Sequence, residues 1–463
     1  MDYPKKATRL EELAAQLTIE PLRSGDPRYV DLTAGRGSHE LRRMALHLRD
    51  FDAAENRFAN VAFTGHRGSG KSTELYRLEH DLNDRFFPVH LFIDDSLLTD
   101  CDYTDLMLWL VDALARQFDE RRMPLEAGLV ERVVDWFAKR TFRKVEEVKK
   151  EIELTAQVEG EAKIGFYWAS LKLLARLKSS IIGSVDRRKE VHLELQRYAS
   201  ELVAQVNLLL DNAAGVLEKN GRPANVLIVQ DNLDRLQPEL ARRLFFDNGD
   251  LLKSLRAHVI YTVPVALVLA PWRISTIFEG HFSMPVIKVR NSNGRPFSQG
   301  VDAILELLAA RMDLGNIFTQ LKVARDLAIA SGGSMRDLMR LLNWAQLAAR
   351  GAGKDRIDAA SAREAVKVLR IDFEKVLIPG SVYYPLLAQI HTSKRDWFPE
   401  ELDAEKVEAA RKFFSELLFN GSVLEYNGET NWYDVHPIVQ QTSGFKGALK
   451  KIRRQDDGAD DNP

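Results

Sequence analysis

The sequence has one cysteine, Cys101, among its 463 residues. A single cysteine excludes an intramolecular disulfide framework and any zinc site that needs several cysteines. No evident general base stands beside this thiol in TDCDYTD, so we expect a quiet structural side chain. The lack of a disulfide framework fits a reducing compartment, and we expect the chain to be cytoplasmic.

Long apolar runs and an excess of charge of one sign are also absent. The longest apolar run, residues 259–272, is shorter than the roughly 20 residues that span a membrane, and it contains Pro264. The N-terminal segment lacks the apolar core of a signal peptide, and we expect no membrane association. The 65 Lys and Arg residues are offset by 67 Asp and Glu residues, for a net charge of −2. This balance argues against a protein that coats nucleic acid over its whole surface.

What the sequence does contain is a glycine-rich phosphate loop. The pattern G-x-x-x-x-G-K-[ST] is matched at every fixed position by Gly65, His66, Arg67, Gly68, Ser69, Gly70, Lys71 and Ser72. An apolar strand pattern, VAFT, precedes the loop and a helix pattern follows it, which is the required context. The alternative is a glycine-rich turn that matches by chance.

Each fixed position of the loop has a chemical reason. Glycines let backbone N–H groups approach phosphate oxygens, and the following helix directs its positive end at the same anion. Lys71 is expected to reach the β- and γ-phosphates, and the Ser72 hydroxyl to ligate magnesium. Thr73 completes the nucleotide-binding candidates. The loop therefore predicts ATP and Mg²⁺ as ligands.

A carboxylate for the magnesium ion is expected at the end of a neighbouring strand. The run VLIVQ is followed by Asp231, at the strand end where open parallel sheets bind ligands. The alternative is a turn, DNLD, that caps the next helix. A hydrolytic base often follows the magnesium carboxylate, but here that position is Asn232, whose amide cannot take a proton. We therefore predict slow hydrolysis, or a base elsewhere such as Asp234.

The rest of the chain predicts an α/β protein with a mostly parallel sheet. Further strands are expected at PVHLFIDD, HVIYTVPVALVLA and MPVIKVRN. The pattern indicates a division into an N-terminal helical segment (1–50), a P-loop core (51–295) with a helical insertion (about 103–220), a small helical bundle (296–374), a winged-helix domain (375–445) and a basic, then acidic, tail (446–463). The winged helix is inferred from helices followed by a hairpin turn at Asn427-Gly428. The terminal QDDGADDNP is expected to be disordered.

This order of elements resembles the AAA+ superfamily of P-loop ATPases, with features shared by STAND and KAP-type signalling ATPases, over residues 29–374. The resemblance implies that residues 51–295 form an ATPase core, that the segment 1–50 contacts adenine and that the bundle 296–374 is a helical lid. The resemblance implies that Thr262 is a polar sensor on the next strand, against the alternative of a core threonine. It also implies that Arg336, just after Gly332-Gly333, is a lid sensor similar to that of origin-recognition-type proteins. A solvated first helical turn is the alternative. Tyr29 and Val30, in RYVDLT, match the segment that lines the adenine pocket, or else form an ordinary strand.

The resemblance leaves the assembly open. Subunits of such ATPases often complete each other's sites with an arginine. The candidates between the second motif and the Thr262 strand are Arg242, Arg243 and Arg256, and each is more often a surface arginine. A homo-oligomer is therefore one hypothesis.

The C-terminal region gives mixed signals about nucleic acid. In the helix that would read DNA, Lys406, Arg411 and Lys412 are offset by Glu405, Glu408 and Glu416, which does not favour base reading. A denser basic cluster follows, made of Lys446, Lys450, Lys451, Arg453 and Arg454. Docking of a protein, or an autoinhibitory cover, is the favoured role of the winged helix over DNA contact.

Three functions are compatible with these patterns. The first is an ATP-binding and hydrolysing AAA+/STAND-like switch that controls a partner protein, and bacterial antiphage defence is an extension of the resemblance. The second is an origin-recognition-like or transposition-type DNA-binding ATPase, which DNA would stimulate. The third is a scaffold locked by nucleotide without catalysis, which would retain nucleotide and release no phosphate.

Overall fold

The structure is a computed structural model that describes residues 3–158, 166–269, 274–378, 382–395, 404–427 and 431–459. Within these ranges no helix is long and apolar enough to cross a membrane. The hairpin-turn residue Gly428, the side chains of Glu405 and Lys406, and the acidic residues at 460–463 lie outside the described residues.

A five-stranded parallel sheet forms the centre of the molecule. Its strands are β1 (Asn60–Gly65), β2 (Phe87–Phe92), β3 (Val226–Asp231), β4 (His258–Val263) and β5 (Gly280–Met284), in the spatial order β2-β3-β4-β1-β5. All residues of β1, β3 and β4 are buried, as expected for parallel strands covered on both faces. The carboxyl ends of β1 and β3 therefore lie at one edge, separated by β4. This confirms the α/β P-loop fold.

The fifth strand differs from its expected position. The run MPVIKVRN has the composition of a buried strand, yet β5 is the preceding GHFSM and shares only Met284 with that run. The backbone of this run bonds to other segments instead: Ile287 N donates to Gly333 O (3.3 Å) in the loop before the helix Met335–Gly351, and Lys288 N donates to Gly35 O (3.0 Å) in the short helix Thr33–Arg36. These hydrogen bonds take the place of bonds to a neighbouring strand.

Helices cover both faces of the sheet. The N-terminal helices and the helix after the phosphate loop are α1 (Thr33–Arg36), α2 (Glu40–Arg49) and α3 (Lys71–Asp81). Six helices occupy the region of the proposed insertion: α4 (Tyr103–Glu120), α5 (Ala127–Thr141), α6 (Val145–Val158), α7 (Phe166–Ile182), α8 (Val185–Gln196) and α9 (Ala199–Lys219). Short helices α10 (Pro238–Arg242) and α11 (Gly249–Lys253) flank a π-helical turn, Arg243–Asp247.

Alternation along the strands separates two cores. Val61 and Phe63 of β1 face the side of α2 and α3, whereas Ala62 faces the core shared with the insertion helices. Cys101 lies in that second core, and burial raises the pKa of its thiol. The insertion is thus packed onto the sheet through a continuous apolar core.

A third core joins the N-terminus, the lid and the C-terminal region. The lid helices are α12 (Ser298–Ala309), α13 (Leu314–Ile317), α14 (Leu321–Ala330), α15 (Met335–Gly351) and α16 (Ala359–Val376). The C-terminal module consists of α17 (Tyr383–Ser393), α18 (Ala404–Phe419), the antiparallel strands β6 (Val423–Tyr426) and β7 (Trp432–Val435), and α19 (Ser443–Ala459). Helix α19 continues through residues 455–459, where composition predicts disorder, because it carries on from a turn anchored by buried Phe445. The domain boundaries and the winged-helix assignment stay predictions.

The loop between α14 and α15 requires glycine. Gly333 has a φ of 85°, and a Cβ built on it would overlap the backbone oxygen of Ile287. We expect Gly333→Ala to lower the free energy of unfolding by about 3 kcal/mol, because left-handed strain and overlap add together. Denaturant unfolding measures this. Gly351→Ala is the control, since nothing lies within 4 Å of a Cβ there, and an equal loss in both variants would contradict the argument.

Candidate nucleotide site

The phosphate loop joins the carboxyl end of β1 to the first turn of α3. Gly68 and Gly70 have φ values of 80° and 99°, which favour glycine. A Cβ on Gly68 would overlap the Cβ of Arg336, and Arg336 N donates to Gly68 O (3.2 Å). The loop is therefore in direct backbone contact with the start of lid helix α15.

Lys71 is held inside the loop that precedes it. Its Nζ donates to Gly65 O (2.8 Å) and His66 O (2.9 Å), and pairs with Asp234 Oδ2 at 2.8 Å. Both charged side chains are buried, so their pairing is needed to offset desolvation. The ammonium group is thereby positioned where a phosphate chain in the loop would lie.

Asp231, at the end of β3, has the features of a magnesium ligand. Its Oδ1 accepts from Asn232 N (2.7 Å), but its buried Oδ2 has no hydrogen-bond partner among the described residues. Burial favours a raised pKa for this carboxyl, but the adjoining His90 ring and Ser72 hydroxyl outweigh burial and hold the pKa below its ordinary value. The carboxyl is therefore ionised, and its Oδ2 accepts no hydrogen bond from the described residues although the His90 ring lies 3.6 Å away.

These residues fit Mg²⁺ bound together with a nucleotide. No cluster of three or more His, Cys, Asp or Glu side chains forms a metal cage in the described part of the chain. Mg²⁺ at phosphate sites needs only one or two protein ligands, because phosphate oxygens and water supply the rest. Asp231 and Ser72 would hold it, and the ion would neutralise phosphate charge.

Asn232 and Thr262 are tied to the protein rather than directed at a ligand. Asn232 Nδ2 donates to Ile93 O (2.7 Å) and Asp95 Oδ1 (3.0 Å). The fully buried Thr262 hydroxyl accepts from Leu233 N (3.0 Å) and donates to Gln230 O (3.2 Å). The Thr262 hydroxyl is therefore engaged within the protein and does not offer a direct sensor contact. It fixes the turn that carries Asn232 and Asp234.

A cavity of about 180 Å³ opens beside the loop. Tyr29 and Val30 line it from the N-terminal side, and burial raises the pKa of Tyr29 to about 12. Residues 29–32 form no strand. An apolar end next to a cationic end suits a base and its phosphates. The phosphate end is lined by Gly68, Gly70, Lys71, Ser72, Thr73, Asn232, Asp234 and Arg336, and the apolar end by Leu32, Leu307 and Met339.

His66 and Arg67 of the loop face away from this cavity. They line a second cavity of about 220 Å³ between the loop, α15 and the end of α18. His66 Nε2 accepts from Glu425 N of β6 (2.8 Å). Burial and the charge of Lys71 lower the pKa of His66 to about 3, so its ring is neutral. The loop therefore contacts the C-terminal module as well as the lid.

Two polar side chains at the site, Arg36 and His90, were not predicted from the sequence. Arg36 of α1 pairs with Glu74 of α3 at 2.8 Å and donates to Ser69 O (2.8 Å), which ties the loop to both helices. His90 of β2 contacts Glu79 of α3 and lies 3.6 Å from Asp231 Oδ2. Although burial opposes it, the carboxylates Asp231 and Glu79 raise the pKa of His90 to about 9. Only the alternation of β2, which directs His90 toward α3, signalled this contact.

The three arginines considered as trans-acting groups lie outside the cavity lining. Arg242 pairs with Asp247 at 3.0 Å, Arg243 lies 3.7 Å from Asp100, and Arg256 pairs with Asp211 at 2.5 Å. These ion pairs are on the surface, and an arginine contributed by a second subunit stays a prediction.

Comparison with known proteins adds similar solved structures. No protein-family model and no curated protein matches the chain. It is similar to Cdc6p from Pyrobaculum aerophilum, with 14% identity, a TM-score of 0.36 and coverage of 91% of this chain and 99% of that one. It is also similar to the ORC2 protein of Aeropyrum pernix (10%, 0.39, 94% and 97%) and to RuvB of Thermotoga maritima (12%, 0.34, 92% and 98%). At these scores the likeness has no weight of its own, and the sheet order and the phosphate loop define the fold.

The neutral His66 makes stability depend on pH. Its folded pKa of about 3 lies below the ordinary 6.5, so its contribution is fully present above pH 6.5 and is lost as pH falls toward 3. Between about pH 7.5 and 5.5 the free energy of unfolding should fall by roughly 1 kcal/mol more in the wild type than in His66→Gln. Because His90 is present in both proteins, its opposite contribution to the pH dependence of stability cancels in this comparison. Parallel pH profiles would contradict the prediction.

Proposed function

We propose that this chain is a Mg²⁺-dependent P-loop ATPase of AAA+ type that acts as a nucleotide-controlled switch on a partner protein. The observation that carries the proposal is that the phosphate loop is a junction. Arg336 of the lid donates its N–H to Gly68 O, and β6 of the C-terminal module donates to His66. A ligand with different affinity for two arrangements of such a junction shifts their populations.

The residues at the loop have distinct roles in this proposal. Lys71 binds the phosphate chain, Ser72 and Asp231 hold magnesium, and the apolar end of the cavity takes the base. Hydrolysis is expected to be slow. Asn232 cannot take a proton and its amide is engaged, while Asp234, the remaining candidate base, is paired with Lys71. Slow turnover suits a switch, because the bound state persists long enough to act on a partner.

Nucleotide binding and phosphate release test the enzyme. Lys71→Ala should abolish ATP binding, because it removes the cation in the loop and leaves Asp234 unpaired. Asp231→Asn should retain nucleotide but lower Mg²⁺-dependent phosphate release by roughly a hundredfold. Calorimetry and a phosphate-release assay provide the measurements, with Asp326→Asn, a surface ion-pair residue, as the matched control.

The outcomes separate the hypotheses. If Lys71→Ala bound ATP with native affinity, the assignment of this loop as the nucleotide-binding site would be wrong. Nucleotide retained at one equivalent, with no phosphate release from the wild type, would favour the non-catalytic scaffold. A role of the proposed switch in bacterial antiphage defence remains an extension of the family resemblance.

A second candidate function is DNA binding through α19. The helix packs on the module through Phe445 and one apolar side, and its other side exposes Lys446, Lys450, Lys451, Arg453 and Arg454. None of the five pairs with an acidic residue whose side chain is described. A basic stripe of this kind suits contact with phosphate backbones.

A duplex shift assay tests this surface. The triple variant Lys446→Gln, Lys450→Gln and Lys451→Gln should weaken DNA binding and reduce the salt dependence by a slope of about 3, since each lysine accounts for about one released counterion. The control neutralises Lys322, Lys367 and Lys375, which already have acidic partners. Absence of any wild-type shift at low salt would exclude this function.

A further inference from the structure

The arginines around the phosphate loop differ in whether they have a partner. Arg36 pairs with Glu74, Arg28 with Asp26, and Arg235 with Asp95. Half-buried guanidinium groups normally need such partners, because burial without compensation disfavours the charge. Two arginines next to the loop depart from this pattern.

Arg67 and Arg336 have no such partner. Arg311, which also lines the nucleotide cavity, has no carboxylate partner but donates to Arg28 O (2.9 Å) and Leu307 O (3.0 Å). The side chains of Arg67 and Arg336 make no hydrogen bond or ion pair with any described residue, and the Nε of Arg67 is buried without a partner. The Arg67 guanidinium instead lies over the ring of Phe419, 5.5 Å from its centroid, at the end of α18. Since Arg336 N bonds to Gly68 O, the two arginines stand side by side in the chain's fold.

The two cations disfavour each other's charge. Burial lowers the pKa of both guanidinium groups, and the charges of Arg336 and Arg235 lower that of Arg67 further. The carboxylates that act on Arg67 are engaged, because Asp234 pairs with Lys71 and Asp95 with Arg235. An arriving anion would relieve this repulsion, and the loop itself is built to bind one.

We infer that Arg67 binds the terminal phosphate of a nucleoside triphosphate together with Arg336, and that it leaves Phe419 to do so. The inference rests on the proposed nucleotide binding. A guanidinium fork forms two parallel bonds to phosphate oxygens, which an aromatic face cannot match. A diphosphate lacks the group that recruits Arg67. The state of the nucleotide is thereby transmitted to α18 and the C-terminal module.

Affinities for tri- and diphosphate test the contact. With Mg²⁺ present, Arg67→Ala should bind a non-hydrolysable ATP analogue about tenfold more weakly than the wild type, with ADP affinity changed less than about twofold. Arg67→Lys keeps the charge without the fork and should lie between the two. Thermal unfolding of each variant checks that it is folded.

Arg340→Ala is the matched control. Arg340 lines the same cavity but already pairs with Asp372 at 2.6 Å. Its replacement therefore removes the same charge as replacement of Arg67, but from an arginine that already has a partner. We expect its affinities for both nucleotides to stay within about twofold of the wild type. An equal loss in Arg340→Ala and Arg67→Ala would reduce the effect to general charge and overturn the inference.

Amide hydrogen exchange supplies a second measurement, which the loss of a charge by itself would not change. In the wild type, the ATP analogue should speed exchange over residues 415–421 relative to ADP, and Arg67→Ala should remove that difference. Equal weakening of ATP analogue and ADP in Arg67→Ala, or unchanged binding of both, overturns the role of Arg67 while leaving the ATPase proposal intact. If the wild type binds neither nucleotide, both proposals fail together.

Discussion

Close approach of backbone segments at the phosphate loop is the constraint on which this structure depends. Gly68 lies against Arg336 and Gly333 against Ile287, at distances that leave no room for a Cβ. Gly332 leaves similarly little space beside Leu424 of β6. Without these glycines the lid and the C-terminal module would be pushed off the loop, and the hydrogen bonds from Arg336 and Glu425 would be lost.

Because three parts of the chain meet at one loop, electrostatics there is shared among them. Lys71 is compensated by Asp234, and His90 compensates Asp231 and Glu79. His66 is kept neutral so that it can accept a hydrogen bond from the C-terminal strand. Arg67 and Arg336 are left without a counterion among the described side chains. These two cations are the basis of the proposed phosphate contact.

The insertion and the C-terminal module contribute differently to this centre. The insertion helices share a continuous core with the sheet, but none of their described residues lines the nucleotide cavity. The C-terminal module shares its core with the lid and the N-terminus, and it reaches the loop through β6 and the end of α18. The lid and this module are therefore the parts that a structural change at the loop would reach first.

The sequence by itself determined the phosphate loop, because its chemistry is local: eight consecutive residues specify the turn, the cation and the hydroxyl. It also located Asp231, since a carboxylate after a buried strand falls at the ligand-binding edge of a parallel sheet. Long-range pairing decided the rest. Whether Thr262 faces a ligand depends on the neighbouring strand. The backbone of MPVIKVRN bonds to Gly333 and to Gly35 of α1, and the fifth strand lies before that run. The partners of His66, Arg67 and His90 come from segments 11 to 359 residues away. The alternation of β2 indicates the side of the sheet that His90 faces, but no local pattern specifies the partners of His66 and Arg67.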